Sequence, residues 1–168
     1  MSAVCLLLSL FFLCPVVAAQ TCRNNIATST PEGGFILNSD ATAEQKTTGL
    51  TWMRCSIGQQ WDGKTCTGTA ARFSWSAALK AADEYEFAGH ANWRLPNKNE
   101  LESIVESRCF SPAIDAQVFP ATPSDYFWTS SPYAGVAYGI WSVSFDYGIV
   151  NASIKTGGIH VRLVRDAE

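Results

Sequence analysis

Short apolar runs bounded by turn residues predict two strands early in the chain. Phe35 to Leu37 and Leu50 to Arg54 are the two runs, and the intervening Asn38 to Asp40 has a composition typical of turns. We therefore expect these strands to pair near the N-terminus of the domain. The preceding stretch, residues 21–34, is polar and contains Pro31, which indicates an entry loop.

Apolar positions with helical spacing predict two helices in the middle of the chain. Ser74 is placed to cap the first helix, which we expect to continue to Phe87 with an apolar stripe formed by Trp75, Ala78, Leu79 and Ala82. The second helix should start after Pro96, because Asn97 and Glu100 have the spacing of a capping box. Leu101, Ile104 and Val105 would face the core, and we expect this helix to end near Ser107.

The last third of the chain has the alternation of strands. Trp141, Val143 and Phe145 alternate with Ser142 and Ser144, which predicts a half-buried strand whose serines face solvent. Further strands are expected at Phe127 to Thr129, Ile149 to Lys155 and Val161 to Val164. Strands, two helices and then more strands predict an α+β domain.

The first nineteen residues have the features of a signal peptide. Residues 4–17 are apolar almost throughout, are short for a membrane span, and are followed by the small-residue sequence Val17-Ala18-Ala19. We expect cleavage near Gln20 and a single exported domain over residues 20–168 without a membrane span. An uncleaved anchor is the alternative, since the segment before the apolar run lacks Lys and Arg.

The remaining cysteines fit an exported protein stabilised by disulfides. Cys55 and Cys66 flank a short loop, so we expect them to pair locally, which leaves Cys22 to pair with Cys109. A zinc site built from the four thiols is the alternative, which the wide spacings disfavour. The net charge of -3 disfavours a general nucleic-acid binder.

Five motifs in order resemble the Lcl C-terminal domain family, the adhesive domain of a bacterial collagen-like surface protein. They are T-G-L-T-W-M-R from Thr48, C-S-I-G-Q-Q-W-D-G-K-T-C from Cys55, G-H-A-N-W-R-L-P-N-K-N-E-L from Gly89, F-W-T-S-S from Phe127 and V-R-L-V-R from Val161. The resemblance implies a C-type lectin-like fold, with two helices beside a twisted antiparallel sheet. It also implies a ligand-binding adhesin or receptor that can form a homo-oligomer, a trimer in relatives.

The residues do not support the chemistry of the more distant relatives of that fold. Calcium-binding lectin motifs are missing. Formylglycine-generating enzymes need a reactive pair of cysteines late in the chain, and here no cysteine follows Cys109. His90 is expected in a turn and His160 on the surface, without a metal-ligand pattern. We therefore expect a binding protein without catalytic residues, metal or cofactor. Glu102 and Glu106 are expected on the solvated face of the second helix.

Some members of this family are similar to the variable proteins of diversity-generating retroelements, in which adenines of a template copy are mutated and codons such as AAC come to encode many different residues. Residues 132–160 contain almost only residue types that such codons reach, apart from Trp141 and Lys155. This segment is the predicted display region, and an ordinary Gly- and Ser-rich hairpin is the alternative. The candidate ligand-binding positions are Tyr133, Gly135, Val136, Tyr138, Gly139, Ser142, Ser144, Asp146, Tyr147, Ile149, Asn151, Ser153, Ile154, Thr156 and Ile159.

Two other functions fit the sequence. Arg94, Lys98, Arg162 and Arg165 could form a basic patch for a sulfated glycan, although nearby Asp and Glu could neutralise these cations. A structural subunit of a surface assembly is the other alternative. In each case the expected partner is a protein or glycan on another cell or surface, or a further copy of the chain.

Overall fold

The computed structural model describes residues 20–30 and 33–166. The predicted signal peptide, residues 1–19, lies outside these ranges. The described chain is an α+β fold of short antiparallel strands with two small helices and two disulfides. The finer C-type lectin-like assignment stays a prediction. The elements are β1 (Thr21–Cys22), β2 (Phe35–Leu37), β3 (Thr42–Gln45), β4 (Thr51–Met53), β5 (Gln60–Trp61), β6 (Cys66–Thr67), α1 (Trp75–Asp83), α2 (Lys98–Glu102), β7 (Cys109–Phe110), β8 (Tyr126–Pro132), β9 (Gly139–Ser144), β10 (Ile149–Ile154) and β11 (Val164–Arg165).

The first sheet contains both early strands, but they do not pair with each other as expected. Its order is β11-β4-β3-β2, so the unpredicted β3 lies between the two. Strand β3 was missed because its sequence, Thr-Ala-Glu-Gln, is mostly polar. Gln45 is nevertheless buried, and its Oε1 accepts a hydrogen bond from the Trp52 indole N–H at 3.1 Å. A buried polar group with a partner is tolerated in a core, and hydropathy alone does not reveal it.

The second sheet has the order β10-β9-β8 and contains the display region. Its middle strand, β9, is buried on both faces, so the prediction that Ser142 and Ser144 face solvent is wrong. Their relative exposures are 0% and 3%, whereas Trp141, expected in the core, is half-buried. Val143 lies in one core cluster and Ile140 in another, on opposite faces of the strand.

A side chain from β8 explains why the serines are covered. Tyr126 lies opposite Ser144, and the Tyr126 hydroxyl accepts a hydrogen bond at 3.2 Å from Nδ2 of Asn151 on β10. Since β8 and β10 are two strand spacings apart, roughly 10 Å, the tyrosine must extend across β9. Small residues at 142 and 144 leave room for it. The Ser142 hydroxyl also forms a hydrogen bond within the protein, with the Ser153 hydroxyl at 2.8 Å.

The first helix starts as predicted but is shorter. Ser74 caps α1 by accepting from the Ala77 N–H, and Ala78 and Ala82 are buried against the core. The helix ends at Asp83 rather than Phe87, because Phe87 turns back to form a bridge with His90. This bridge confirms His90 as a turn residue. Leu79, expected in the apolar stripe, is 36% exposed.

The second helix has the predicted capping box but only five residues. The Asn97 side chain accepts from the Glu100 N–H, and the Glu100 carboxylate accepts from the Asn97 N–H. Leu101, Ile104 and Val105 are buried as expected. The helix ends at Glu102 because the chain leaves it to pair with a distant segment: the Glu106 N–H donates to the Ala113 carbonyl at 3.1 Å. That long-range pairing overrides the local helical pattern.

Both predicted disulfides are confirmed, which contradicts the zinc alternative. Cys22–Cys109 joins β1 to β7, and Cys55–Cys66 closes the β5–β6 region. Among the described residues, no group of three or more His, Cys, Asp or Glu side chains could hold a metal ion. In that same part of the chain, no helix has the length and apolarity needed to cross a membrane.

The C-terminal segment does not close the display sheet as expected. Strand β11 contains only Val164 and Arg165 and pairs with β4 in the first sheet. The preceding Arg162 is fully buried, and its guanidinium donates to the carbonyls of Met53 and Arg54. Burial lowers the pKa of Arg162 to about 9. The ring of Phe119, 4.7 Å from the guanidinium carbon, provides a cation–π contact in place of a carboxylate partner.

Candidate functional site

The structure divides the predicted display positions between two ends of the β9–β10 hairpin. Exposed or half-buried positions at the loop before β9 are Tyr133, Gly135, Val136 and Tyr138, and Ile154 and Thr156 lie at the same end. Asp146, Tyr147 and Ile149 lie at the opposite, turn end. Six-residue strands separate the two ends by roughly 17 to 20 Å. The candidate residues therefore form two surfaces and not one.

Several candidate positions are unsuited to direct contact with a ligand. Gly139, Ser142, Ser144 and Ile159 are buried. Asn151 and Ser153 are half-buried and bonded to Tyr126 and Ser142. A Cβ at Gly139 would lie 2.8 Å from Val136 Cγ2 and 2.9 Å from Tyr133 Cδ1, so this position requires glycine for packing. The prediction that these buried residues are displayed is wrong, since strand alternation does not reveal that both faces are covered.

The loop end carries an exposed aromatic and aliphatic surface, here called the loop-end surface: Tyr133, Val136, Tyr138 and Trp141. The Tyr133 ring contacts Trp141 edge-to-face, with centroids 4.7 Å apart. Backbone hydrogen bonds from Tyr133 to Gly139 and from Gly139 to Val136, each 3.0 Å, hold the loop in place. Tyr138 is 61% exposed and Val136 39% exposed. The loop therefore presents apolar contact area on a supported backbone.

A shallow depression of about 290 Å³ lies beside this surface, between α2 and the end of β8. The Lys98 ammonium is 6.0 Å from the centre of the Trp141 ring and forms a 2.9 Å ion pair with Glu102. The Lys98 backbone N–H donates to the Ser131 hydroxyl at 2.9 Å, which ties the helix to the sheet. Amides, a hydroxyl and an aromatic ring can together hydrogen-bond and stack a small polar ligand. The lining residues are Asn97, Lys98, Asn99, Ser131, Pro132 and Trp141.

Sequence reasoning missed most of this depression. Asn97 was expected only as a helix cap, a role that the structure confirms, and Asn99 and Ser131 were noted only as members of the family motifs. Pro132 was expected as the first residue of the display region, without a part in a depression. Trp141 was assigned to the core by its alternation with Val143 and Phe145. A half-buried tryptophan at the end of such a pattern is the one feature that could have indicated a surface role.

The predicted basic patch does not form. Arg162 is fully buried, and Arg94 binds Glu100 at 2.8 and 2.9 Å and Asp166 at 2.6 Å. The hydrogen bonds that Arg94 donates, those to Glu100 foremost, raise the pKa of Arg94. The Arg165 guanidinium lies 5.8 Å from the Trp93 ring. The alternative to a basic patch, neutralisation of the cations by nearby carboxylates, is therefore confirmed for Arg94 and Lys98.

At the turn end, the display residues pack against β7 and the residue that follows it. The Tyr147 ring stacks on Phe110 with centroids 6.2 Å apart and an interplanar angle of 14°. Asp146 accepts a hydrogen bond from the Ser111 hydroxyl at 2.8 Å. Tyr147 is still 65% exposed, so it matches Tyr138 in residue type and exposure while lying at the other end.

A cavity of about 480 Å³ opens beside the Cys22–Cys109 disulfide and is bordered by Glu106. The Glu106 carboxylate accepts from the hydroxyls of Thr28 and Thr30, from the backbone N–H groups of Thr30 and Arg108, both at 3.1 Å, and from the Ser29 N–H at 3.2 Å. We call Glu106, residues 28–30 and Arg108 the N-terminal clasp. Burial raises the pKa of Glu106, but these hydrogen bonds outweigh it and bring the pKa to about 2.

The clasp corrects the expectation that Glu106 lies on a solvated helix face, since its exposure is 2%. His160 is likewise buried and not on the surface. Its Nδ1 lies 3.0 Å from the Ala71 carbonyl, and burial lowers its pKa. Neither residue is close in sequence to the loop-end surface, and their hydrogen-bond partners do not belong to it. Both residues therefore stabilise the fold.

One comparison with known proteins gives a match. The family model described as the Lcl C-terminal domain matches residues 41–165, which include both helices, the display region and the Cys55–Cys66 disulfide. No curated protein matches the chain.

Proposed function

We propose a binding function for this protein, which belongs to the Lcl C-terminal domain family. The family suggests a surface or adhesin-like protein. In our proposal the exported domain binds a protein or glycan on another cell or surface through the loop-end surface. The observation that carries the proposal is the exposure of Tyr138 and Val136 beside the stacked pair Tyr133 and Trp141.

The physical argument is that apolar side chains are exposed on a backbone that is already ordered. Tyrosine provides a large contact area with few rotatable bonds, so little conformational entropy is lost when it binds a partner. The loop is held by its own hydrogen bonds and by Trp141 on β9. A preordered loop reduces the entropic cost of association further.

Export is proposed from the disulfides together with the leader. Two disulfides in a domain of this size are typical of an oxidising compartment. The apolar segment at residues 4–17 and the small residues that follow it support cleavage near Gln20. Edman sequencing of the secreted protein would test the cleavage site.

The proposal can be tested with two matched tyrosines. Tyr138→Ser should lower binding to intact cells or to arrayed surface proteins and glycans by about tenfold or more, because hot-spot aromatics typically contribute at least this much. Tyr147→Ser is the control, since Tyr147 is equally exposed at the opposite end. Equal binding by both variants and the unchanged protein would contradict the proposal.

We also propose that the loop-end residues are candidates for retroelement diversification. Residues 132–140 contain only types reachable from adenine-mutated codons and proline, and most of them are exposed. Sequencing the flanking DNA tests this idea. A near-copy of the codons for residues 132–165 that differs only at adenines, beside a reverse transcriptase gene, is expected. A flanking region without such a copy would make this a binder of fixed specificity.

A fixed glycan-binding function is the second candidate, and the depression beside Trp141 favours it. Exposed amides from Asn97 and Asn99 flank an aromatic ring there. Because Lys98 is already paired with Glu102, glycan binding should depend only weakly on salt. Asn99→Ala should reduce glycan-array signals, with the equally exposed Asn92→Ala as control. Loss of binding in Tyr138→Ser but not Asn99→Ala would favour the first candidate.

We propose, finally, that the domain is not an enzyme. His160 is buried, with its Nδ1 3.0 Å from the Ala71 carbonyl and its ring tilted against Phe127. The Glu106 carboxylate, whose pKa is lowered to about 2, is occupied by hydrogen-bond donors of the clasp. These groups stabilise the fold instead of facing a substrate.

A further inference from the structure

Strand β10 is an edge strand without the features that usually protect an edge. It pairs with β9 on one side, and no described strand lies on the other. Its sequence, Ile-Val-Asn-Ala-Ser-Ile, contains no charged residue and no proline. Ile149 and Ile154 are 47% and 57% exposed. Natural proteins normally shield such an edge with lysine, proline, a bulge or a covering element, because unpaired backbone groups recruit another strand.

The other sheet edges of the described chain are less open. Strand β2, at the edge of the first sheet, has only three residues. The outer side of β8 is already bridged, since the Trp128 N–H donates to the His160 carbonyl and the His160 N–H donates to the Tyr126 carbonyl. Strand β10 is therefore the longest edge with free pairing capacity among the described strands.

The direction of its free backbone groups can be deduced from the hairpin. The Lys155 N–H donates to the Tyr138 carbonyl at 3.1 Å, on the side of β9. Backbone groups alternate in direction along a strand, so Val150, Ala152 and Ile154 turn their N–H and C=O groups away from β9. The Ile154 carbonyl also accepts from the Gly157 N–H, and a carbonyl can accept a second hydrogen bond.

We propose that β10 pairs antiparallel with β10 of a second copy of this chain, about a two-fold axis at Ala152. This register places Ala152 opposite Ala152 of the second copy, and Val150 opposite Ile154 of the second copy. The outward backbone groups then face each other as hydrogen-bonded pairs. The side chains also match: apolar residues pair on one face, and Asn151 pairs with Ser153 on the other.

Charge favours antiparallel over parallel pairing of two copies. Asp146 precedes β10, and Lys155 follows it directly. Antiparallel pairing brings the acidic end of one strand towards the basic end of the other, whereas parallel pairing would bring like charges together. A two-fold arrangement is also closed, so the dimer leaves no free β10 edge for further growth.

The dimer would give several display positions a different role. Ile149, Asn151, Ser153 and Ile154 would lie at the interface between copies, while the two loop-end surfaces would remain at opposite ends of the seam. Such a dimer could bind two ligands on one cell surface with increased avidity. The inference does not depend on the proposed ligand-binding function, because self-association is measured without a ligand.

Sedimentation of the purified exported protein over a range of concentrations tests the proposal. A monomer–dimer equilibrium is expected, and Ala152→Pro should shift it to monomer, because proline removes an outward N–H and clashes with an approaching strand. Ala134→Ser is an exposed control that should leave the equilibrium unchanged. A monomer at every concentration, a trimer, or a dimer that survives Ala152→Pro would overturn the proposal.

Cysteine cross-linking tests the register and remains decisive if the proline variant does not fold. Directly opposed residues in a hydrogen-bonded pair lie about 5.5 Å apart between Cα atoms, which suits a disulfide. Ala152→Cys should therefore form a covalent dimer on oxidation. Ile154→Cys is the matched control on the same strand, since it faces Val150 of the second copy and not itself. Equal cross-linking by both variants would contradict the register.

Discussion

The N-terminal clasp and the loop-end surface both bring polar and apolar side chains together beside a cavity, but they use them differently. In the clasp, the Glu106 carboxylate is buried and receives several hydrogen bonds from residues 28–30 and from Arg108. At the loop end, Tyr138 extends into solvent, and Trp141 is only half-buried. The clasp satisfies its polar groups within the chain, whereas the loop end leaves contact area for another molecule.

The two regions should therefore respond differently to substitution, the clasp in stability and the loop-end surface in binding. A buried carboxylate with several donors cannot be removed without leaving those donors unsatisfied, so changes in the clasp should alter the free energy of unfolding. An exposed tyrosine makes few intramolecular contacts, so its replacement should alter binding and leave stability nearly unchanged.

Removing the Cys22–Cys109 disulfide should have the largest effect. It spans 87 residues, whereas Cys55–Cys66 spans 11. Loop-closure entropy predicts losses of roughly 4.5 and 3 kcal/mol in the free energy of unfolding for the respective Ala pairs. Urea unfolding of both double variants measures the difference. A larger loss for the Cys55 and Cys66 pair would show that the N-terminal segment is held mainly by the clasp.

Glu106→Ala should reduce the free energy of unfolding by about 3 kcal/mol, because the hydroxyls of Thr28 and Thr30 and three backbone N–H groups lose their acceptor. Glu102→Ala is the control, since Glu102 is exposed and its ion pair with Lys98 should contribute less than about 1 kcal/mol. Thermal and urea unfolding measure both. Similar losses for the two variants would contradict the structural role of the clasp.

The clasp should also make the free energy of unfolding depend on pH. The pKa of Glu106 is about 2 in the folded protein, below its ordinary value of 4.5. Because the folded state binds this proton more weakly, the stabilisation is complete above pH 4.5 and is lost as the pH falls towards 2, by up to roughly 3 kcal/mol. Urea unfolding between pH 2 and 6 should show this slope. Glu106→Gln should make the free energy of unfolding depend less on pH. An unchanged slope in this variant would show that other carboxylates cause the pH dependence.

Tyr133→Ala should reduce stability less than the changes in the disulfide or the clasp, by about 1 kcal/mol, through loss of the edge-to-face contact with Trp141. Its main consequence should be a looser loop, seen as faster hydrogen exchange of the Gly139 amide, which donates to Val136. Tyr138→Ala is the paired control and should change stability by less than about 0.5 kcal/mol. If both variants unfold alike, Tyr133 does not support the loop.

Local patterns predicted the parts of the fold that depend on neighbouring residues. The capping box of Asn97 and Glu100, the Ser74 cap, the hairpin strands β9 and β10, and both disulfides were found this way. Each depends on spacing within a few residues or on pairing the few available cysteines. The family assignment likewise depended on motifs that are visible in the chain itself.

The candidate site was harder to predict because exposure is not a local property. Ser142 and Ser144 alternate with apolar residues as a solvent-facing row would, yet the Tyr126 side chain crosses over them to reach Asn151. Glu106 follows a helical pattern, yet the chain leaves the helix to pair Val105 with Ile114 and buries the carboxylate. In both cases a residue distant in sequence decides which side chain meets water.

The family, the α+β order of elements and the cysteine pairing could be read from the chain alone, because they follow from short-range periodicity, caps and spacing. The burial of Arg162, Glu106 and His160, and the separation of the display positions into two surfaces, became visible only once the chain was folded. Burial depends on what packs across each face of an element. A polar residue can lie in a core whenever distant segments supply its hydrogen bonds.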